Sequence, residues 1–419
     1  MSVAVARIDL RASTCRFCGT PLTRSFVDLG ATPPANSFLR ATDLRRTEAF
    51  LPLHAYVCES CFLVQLEEMQ TPEQLFGDYA YFSSYSDSWL KHAEAFAGAA
   101  IARFGLNADS RVIEIASNDG YLLQYFARGG VPVLGIEPAA NVARVAERKG
   151  VTTLVKFFGR NTARALVADG LRADLIVANN VLAHVPNLND FVGALKPVLK
   201  SEGVVSVEFP HLLRLVEGDQ FDTIYHEHFS YFSLLTAERV FAAHGLTVFD
   251  VEELDTHGGS LRLFVGHAEA ARPLTKAVAA VRAKEHAAKL DRPDGYDGFA
   301  ERVRHAKRRL LAFLIGAKAE GKTIVGYGAA AKGNTLLNYC GIRTDFIDYT
   351  VDRSPHKQGL YLPGTRVPIC HPDRIRETRP DYLLILPWNL RDEIIETHGY
   401  IREWGGKFVV PIPHVSIYP

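Results

Sequence analysis

The sequence predicts an α/β protein with a small N-terminal module, a central Rossmann-like domain and a C-terminal Rossmann-like α/β domain. Three observations indicate this class. Four of the six cysteines form two close pairs before residue 62, short apolar runs alternate with helical patterns over residues 111–265, and a second strand-loop-helix pattern begins at Lys322. A chain of 419 residues is long enough for two or three separate cores. We therefore divide it into 1–72, 73–267 and 268–419.

The N-terminal module carries two matched C-x2-C units, Cys15-Arg-Phe-Cys18 and Cys58-Glu-Ser-Cys61. Each unit places two sulfurs on a tight turn, and four thiolates complete the tetrahedral shell of a zinc ion. A closed shell leaves no position for water or substrate, so we expect this zinc to be structural. Buried or redox-active thiols are the alternative interpretation. It is the weaker one, because two matched C-x2-C units are unlikely to arise by chance.

The central domain begins with helical patterns at Glu73 and Ser86 and continues with a predicted strand at 111–115. Further strands are predicted at 131–137, 173–179, 203–209, 246–251 and 260–265. Such alternation predicts a parallel sheet with helices on both faces.

The C-terminal domain reads first as helices rich in Ala, Lys, Arg and Glu over 268–321, interrupted by turn residues at 292–295. The strand-loop-helix at Lys322 follows, with later strands predicted at 346–352 and 382–387. This order is typical of another α/β nucleotide-type domain.

Composition excludes several classes of partner. Basic and acidic side chains balance at 47 each, so no overall field attracts nucleic acid or an anionic membrane, and a small-molecule ligand is expected. The segment 1–9 lacks a basic stretch followed by an apolar run, and no later stretch is apolar for the length of a bilayer. We expect a soluble, cytoplasmic protein, monomeric or weakly oligomeric, since three domains can enclose a site within one chain.

The loop Glu114-Ile-Ala116-Ser-Asn118-Asp-Gly120 lies where the first central strand turns into a helix, so backbone amides there can meet an anion. Glu137 ends the next strand, where a carboxylate suits a ribose diol. Methyltransferase loops usually read E-x-G-x-G-x-G, and here Ala116 and Asn118 replace the first two glycines. A plain dinucleotide fold is the alternative. We predict a site for S-adenosylmethionine made by Glu114, Ala116, Asn118, Gly120, Tyr121, Glu137, Pro138 and Asn180.

The run Tyr225-His226-Glu227-His228-Phe229 is the densest group of proton-transfer side chains in the chain. It does not fit the H-E-x-x-H zinc pattern, because its two histidines are only two positions apart. A catalytic loop is the functional interpretation, and structural histidines are the alternative.

The sequence combines this run with several other segments. They are the two C-x2-C units, Val207-Glu-Phe-Pro-His211, His257-Gly-Gly-Ser-Leu-Arg262 and Gly326-Tyr-Gly-Ala-Ala-Ala-Lys-Gly-Asn-Thr335. In this the chain resembles the nucleotide-linked deoxysugar C-methyltransferases of the tetronitrose and kijanose C-3 type, over nearly its whole length. The resemblance implies S-adenosylmethionine-dependent methylation at C-3 of a thymidine-diphosphate-linked 4-keto-deoxysugar in antibiotic biosynthesis. Such sugars often carry a 3-amino group, as in a 3-amino-2,3,6-trideoxy-4-keto-glucose, and these enzymes have a structural zinc.

The same resemblance implies that His228 removes the acidic proton next to the ketone, leaving an enolate that attacks the methyl group. Tyr225 is then a donor to the enolate oxygen, and Glu227 and His184 orient the sugar or its amino group. Tyr79 matches another active-site tyrosine, with simple packing as the alternative.

The second glycine loop, Gly326-Tyr-Gly328-Ala-Ala-Ala331, also matches a G-x-G-x-x-A dinucleotide pattern, and Asp352 closes the next predicted strand. An NAD-dependent sugar-nucleotide oxidoreductase is therefore an alternative function, and a zinc-bearing binding module without activity is a third. The resemblance instead implies a sugar nucleotide whose pyrophosphate lies on this loop. We predict that Gly328, Lys332, Asn334, Thr335, Asp352, Arg353 and Lys357 bind it, although the last two could equally be solvated surface residues.

Overall fold

The computed structural model describes residues 13–77 and 82–419. In the N-terminal part, strands β1 (Arg24–Thr32), β2 (Leu51–Val57) and β3 (Val64–Leu66) pair in antiparallel order, and helix α1 (Pro72–Phe76) follows. One cysteine unit precedes β1 and the other makes the turn between β2 and β3. Helix α1 starts where a reciprocal cap forms: the Thr71 hydroxyl accepts from the Gln74 amide, and Gln74 Oε1 accepts from the Thr71 amide.

The central domain supplies strands and helices in alternation. Its strands are β4 (Val112–Ile115), β5 (Val133–Ile136), β6 (Thr153–Leu154), β7 (Ala173–Asn179), β8 (Leu199–Pro210), β9 (Ser230–Tyr231), β10 (Leu246–Leu254) and β11 (Ser260–His267). Its helices are α2 (Asp87–Phe104), α3 (Leu123–Arg128), α4 (Ala140–Arg148), α5 (Arg160–Ala168), α6 (Leu188–Val198), α7 (Leu212–Glu217) and α8 (Leu234–Ala242).

The central sheet has the order β10-β11-β8-β7-β4-β5-β6. Strands β8, β7, β4, β5 and β6 are parallel, as predicted, whereas β11 pairs with both β8 and β10 in antiparallel fashion. The expectation of a wholly parallel sheet was wrong at this edge, because the connection 255–259 is too short for the crossover that parallel strands need. The predicted strand 173–179 coincides with β7.

The C-terminal domain is a second sheet of order β14-β13-β12-β15-β16-β17, parallel except for its last pair. Its helices are α9 (Lys276–Ala287), α10 (Phe299–Ala319), α11 (Ala331–Cys340), α12 (Arg374–Thr378) and α13 (Arg391–Thr397). Its strands are β12 (Ile324–Tyr327), β13 (Thr350–Val351), β14 (Ile369–Cys370), β15 (Tyr382–Ile385), β16 (Lys407–Val410) and β17 (Ser416–Tyr418). The strand predicted at 346–352 is reduced to β13, since a turn occupies 343–347.

The three parts share elements and cores. Strand β9, which directly follows the Tyr225–Phe229 run, pairs with β3 and so completes the N-terminal sheet. Phe26 of β1 stacks on Phe299 of α10 with ring centres 4.5 Å apart. Within the described ranges, no helix combines the length and apolar character needed to cross a bilayer. The predicted α/β class is confirmed, and side chains or carbonyls of the N-terminal and C-terminal parts contact residues 224–227 of the central one.

Candidate active site and metal centre

The four paired cysteines meet at one point of the N-terminal module. Their Sγ atoms all lie within 4.8 Å of one another, with 3.5 Å between Cys15 and Cys61 and between Cys18 and Cys58. Zinc–sulfur bonds of about 2.3 Å in a tetrahedron imply sulfur pairs roughly 3.8 Å apart, so the set fits this ion. A disulfide needs about 2.05 Å between its sulfurs, so these four cysteines are not joined by disulfide bonds in this structure. The Gln65 amide donates to Cys15 Sγ at 3.2 Å, as expected beside a thiolate ligand.

The first cysteine unit is packed against the loop that carries His184. Arg16 donates to the Pro186 carbonyl at 3.1 Å, and Asn189 donates to the Phe17 carbonyl at 2.8 Å. Both contacts join residues more than 150 positions apart, so they depend on the folded module. The turn that carries the first two cysteines therefore packs against the segment that follows His184.

The loop after β4 explains the missing glycines. Ala116, Asn118 and Gly120 have φ angles of 56°, 49° and 74°, which lie in the left-handed region that favours glycine. Asparagine tolerates this region, whereas alanine adopts it at a cost of about 1–2 kcal/mol. The loop thus keeps the backbone path of the glycine pattern with two other residues.

Two buried carboxylates surround this loop. Glu137, at the end of β5, accepts from the amides of Asn118 at 3.0 Å and Ala139 at 2.9 Å. Glu114 is buried beside Tyr121, whose side chain hydrogen-bonds to it, and burial raises the pKa of Glu114 well above its usual value. Pro138 follows Glu137 and is partly exposed.

Several buried polar atoms at the carboxyl edge of β4 and β7 have no hydrogen-bond partner among the described residues. They are Glu114 Oε2, Ser117 Oγ, Asp119 Oδ1, Asn179 Oδ1 and Asn180 Oδ1. Buried polar groups are normally paired, so a polar ligand is expected beside them. The hydroxyls, amine and carboxylate of S-adenosylmethionine fit this set. The sequence-predicted residues of the loop are thus together at one edge of the sheet.

His228 lies in the loop between α7 and β9 and is 8% exposed. Its Nδ1 is 3.0 Å from the Thr223 carbonyl and its Nε2 is 2.7 Å from the Tyr225 hydroxyl. A carbonyl only accepts, so we assign the ring hydrogen to Nδ1, and the Nε2 lone pair then accepts from the Tyr225 hydroxyl. Burial lowers the pKa of His228 well below its ordinary value. The imidazole is therefore a neutral base whose lone pair meets a hydroxyl donor.

The other predicted acid-base groups surround His228. The ring of His184 is 4.7 Å from that of His228 in an edge-on arrangement, and burial lowers the pKa of His184 to about 4. Glu227 is 3% exposed, and burial raises its pKa to about 7. His226 instead lies 3.1 Å from the Pro52 carbonyl, which indicates a structural role. Tyr79 lies outside the described residues.

The C-terminal glycine loop follows β12. An added Cβ at Gly328 would lie 2.6 Å from Pro387 Cδ, and its φ of 93° requires glycine. The Ala329 amide donates to Asp352 at 2.8 Å, and Lys357 lies 3.6 Å from the same carboxylate. Arg353 instead forms an ion pair with Glu393 at 3.4 Å. Asp352 and Lys357 thus hold the loop itself.

Helix α11 turns the remaining predicted residues toward the central domain. Lys332 donates to Asn389 at 2.7 Å. Burial of His257 lowers its pKa to about 4, and the positive charge of Lys332 acts in the same direction. Thr335 is 2% exposed and donates to the Ile224 carbonyl at 3.0 Å. Both side-chain amide atoms of Asn334 are buried and have no partner in the described part of the chain. This helix therefore contacts the loop that carries the Tyr225–Phe229 run.

Sequence reasoning missed four residues at this junction. The Asn36 amide donates to Glu227 at 2.7 Å, and Trp388 Nε1 donates to the buried Asp222 carboxylate at 2.7 Å. Trp89 lies between Tyr121 and His257, with ring centres 6.0 and 5.3 Å away. The rarity of tryptophan was a signal for two of them, since the chain has only three. Asn36 and Asp222 carried no local signal.

Three family models match the chain. They describe a putative zinc binding domain over residues 15–76, a methyltransferase domain over 89–251 and a C-methyltransferase C-terminal domain over 255–413. The cysteine pairs, the first loop and the second glycine loop fall in these three segments, in that order.

Individual proteins are also similar. The chain is 37% identical to the C-methyltransferase NovU of Streptomyces niveus over 403 residues, which covers 96% of each protein. It is 32% identical to a ubiquinone biosynthesis O-methyltransferase of Bartonella quintana (strain Toulouse) over 98 residues, 23% of this chain and 40% of that one. The solved magnesium protoporphyrin IX methyltransferase (ChlM) of Synechocystis PCC 6803 shares 14% identity, covering 42% of this chain and 82% of its own, with a TM-score of 0.34.

Proposed function

The chain belongs to the deoxysugar C-methyltransferases and uses S-adenosylmethionine, and from that premise we propose that it methylates C-3 of a thymidine-diphosphate-linked 4-keto-deoxysugar. The observation that carries the proposal is the arrangement of His228. Its Nδ1 hydrogen is engaged by the Thr223 carbonyl, so its Nε2 lone pair is directed to the Tyr225 hydroxyl within a buried loop. A neutral imidazole held in one tautomer is suited to remove a carbon-bound proton.

In the proposed reaction, His228 Nε2 takes the proton from C-3. The electrons of the broken C–H bond form the C-3 to C-4 double bond of an enolate, and negative charge develops on the C-4 oxygen. Tyr225, released from His228, donates its hydroxyl hydrogen to that oxygen. S-Adenosylmethionine supplies an electrophilic methyl group. When bound, it would give this methyl group to C-3 as its C–S bond breaks with the electron pair left on sulfur, and His228 would then release its proton to solvent.

We assign the nucleotide of the substrate to the C-terminal loop. The glycine loop precedes α11, on which the partnerless amide of Asn334 offers both a donor and an acceptor. Lys332 supplies a positive charge between this loop and His228. A sugar that extends from the loop toward His228 accounts for the way α11 faces the catalytic loop.

A variant of the proposed base tests the mechanism. We expect His228→Asn to slow methyl transfer by a factor of about 10²–10⁴ and to abolish solvent deuterium exchange at C-3 without S-adenosylmethionine. The matched control is His286→Asn, at a histidine whose side chain is 53% exposed on α9. Full methyl transfer by His228→Asn would contradict this role.

The substrate is tested by mass spectrometry of products from a panel of thymidine-linked 4-keto sugars, with and without a 3-amino group. We expect a mass gain of one methyl group, located at C-3. Calorimetric titration should also find separate sites for S-adenosylhomocysteine and thymidine diphosphate. Binding of NAD instead of thymidine diphosphate would favour the oxidoreductase alternative.

A further inference from the structure

The N-terminal module contributes a side chain to the candidate active site. Asn36 Nδ2 lies 2.7 Å from Glu227 Oε1, although the two residues are 191 positions apart. Nothing in the comparisons assigns a role to this asparagine. We propose that Asn36 is a positioning residue that favours the ionised form of the Glu227 carboxyl and orients it toward the substrate, an inference that rests on the proposed function.

The surroundings of Glu227 make this hydrogen bond important. The residue is 3% exposed, and a buried carboxylate without donors takes up a proton. Among the described side chains, the donor to this carboxylate is the Asn36 amide. Burial raises the pKa of Glu227 to about 7, and Asn36 acts in the opposite direction. A change in this one hydrogen bond should therefore change the ionised fraction of the Glu227 carboxyl near neutral pH.

Other titratable groups near Glu227 do not replace this donor. His184 hydrogen-bonds to the Glu227 backbone, not to its carboxylate. His226 lies against the Pro52 carbonyl, and His228 against Thr223 and Tyr225. Burial lowers the pKa of all three histidines, so they are neutral in the working range and bring no positive charge.

The segment that carries Asn36 is fixed at both sides. The Ser37 amide donates to the Pro34 carbonyl at 3.1 Å, which makes a turn around Asn36. Leu39 and Tyr361 then exchange two backbone hydrogen bonds of 3.0 and 2.9 Å. The amide therefore reaches Glu227 from a backbone that the C-terminal domain holds in place. An amide in a fixed position can orient a carboxylate as well as stabilise its charge.

This arrangement has a consequence for substrate choice. An ionised Glu227 attracts the ammonium group of a 3-amino sugar by charge, whereas a protonated Glu227 offers one O–H donor and uncharged acceptor oxygens. Asn36 thereby favours an amino sugar over its 3-hydroxy counterpart. Losing the amide should raise KM for the amino sugar more than it lowers kcat.

The test measures the Glu227 carboxyl directly, without substrate. In full-length zinc-loaded protein labelled with ¹³Cδ-glutamate, the Glu227 signal is identified by its loss in Glu227→Gln, and its pKa is read from an NMR pH titration. We expect Asn36→Ala to raise this pKa by about one, because a hydrogen bond to a charged group is lost. Asn36→Asp should raise it further, since two adjacent carboxyls share a proton. Ser37→Ala, at an exposed neighbour, is the matched control and should leave it unchanged.

Activity then shows whether the pair acts in the reaction. The acid limb of kcat/KM for a thymidine-linked 3-amino-4-keto sugar should move to higher pH in Asn36→Ala by the same amount as the measured pKa. An unchanged Glu227 pKa, an equal change in Ser37→Ala, or an unmoved acid limb would each overturn the inference. A wild-type protein that methylates no such sugar would overturn the proposed function instead, while the NMR result would still stand.

Discussion

Replacing Thr335 by valine tests how the C-terminal domain supports the catalytic loop. Thr335 is 2% exposed and its hydroxyl donates to the Ile224 carbonyl at 3.0 Å. Valine keeps the shape and removes the donor, which leaves a buried carbonyl unpaired at a cost of about 1–3 kcal/mol. Ile224 stands between Thr223 and Tyr225, the two hydrogen-bond partners of His228. A small displacement there should reduce kcat/KM about tenfold or more.

The assay combines urea unfolding with steady-state methyl transfer, and its matched control is Thr162→Val. Thr162 is also buried, and its hydroxyl donates to the Phe157 carbonyl at 2.7 Å, away from the catalytic loop. The free energy of unfolding should fall by a similar amount in both variants, and both should keep their affinity for S-adenosylhomocysteine. Only Thr335→Val should show a reduced kcat/KM. Equal activity in two equally destabilised variants would refute the positioning argument.

Further predictions concern the metal, the cofactor loop and pH. Cys58→Ser should lose stoichiometric zinc by metal analysis and lower Tm, whereas Cys370→Ser, outside the cluster, should keep its zinc. At Asn118, with φ of 49°, a β-branched valine costs about 1–2 kcal/mol and should weaken S-adenosylhomocysteine binding about tenfold by calorimetry, while Asn118→Gly should bind like wild type. Burial and nearby arginines lower the pKa of His398 to about 4, so the unfolded chain takes up the proton first as pH falls. Its contribution to stability is complete above about pH 6.5 and declines toward pH 4. His398→Gln should therefore show a smaller drop in urea midpoint between pH 7 and pH 5, and an equal drop in both proteins would contradict this.

Much of the architecture followed from local patterns. Two C-x2-C units predicted the cysteine cluster, because two turns can supply four sulfurs whatever the rest of the fold does. Strand β7 was predicted to the residue, since a continuous apolar run marks a strand buried on both faces. The antiparallel edge made by β10 and β11 was not predicted, because apolar runs do not encode strand direction.

The loop at Ala116 and Asn118 lies between these cases. Its residue types depart from the glycine pattern. Only the backbone angles show that both residues adopt the left-handed conformation that glycine favours. Local sequence carries a preference for a backbone region, while the surrounding fold can impose that region on another residue at a modest cost.

The sequence by itself determined the zinc ligands, the order of the α/β units and the run from Tyr225 to Phe229 that holds the proton-transfer groups. Tertiary structure alone decided which nitrogen of His228 accepts a hydrogen bond, that Asn36 reaches Glu227, and that Thr335 donates to the loop that carries His228. The physical reason is the sequence separation over which each kind of interaction acts. Helix, turn and ligand spacing depend on neighbours within a few positions, whereas burial and hydrogen bonds between residues 111 or 191 positions apart exist only once the parts have packed together.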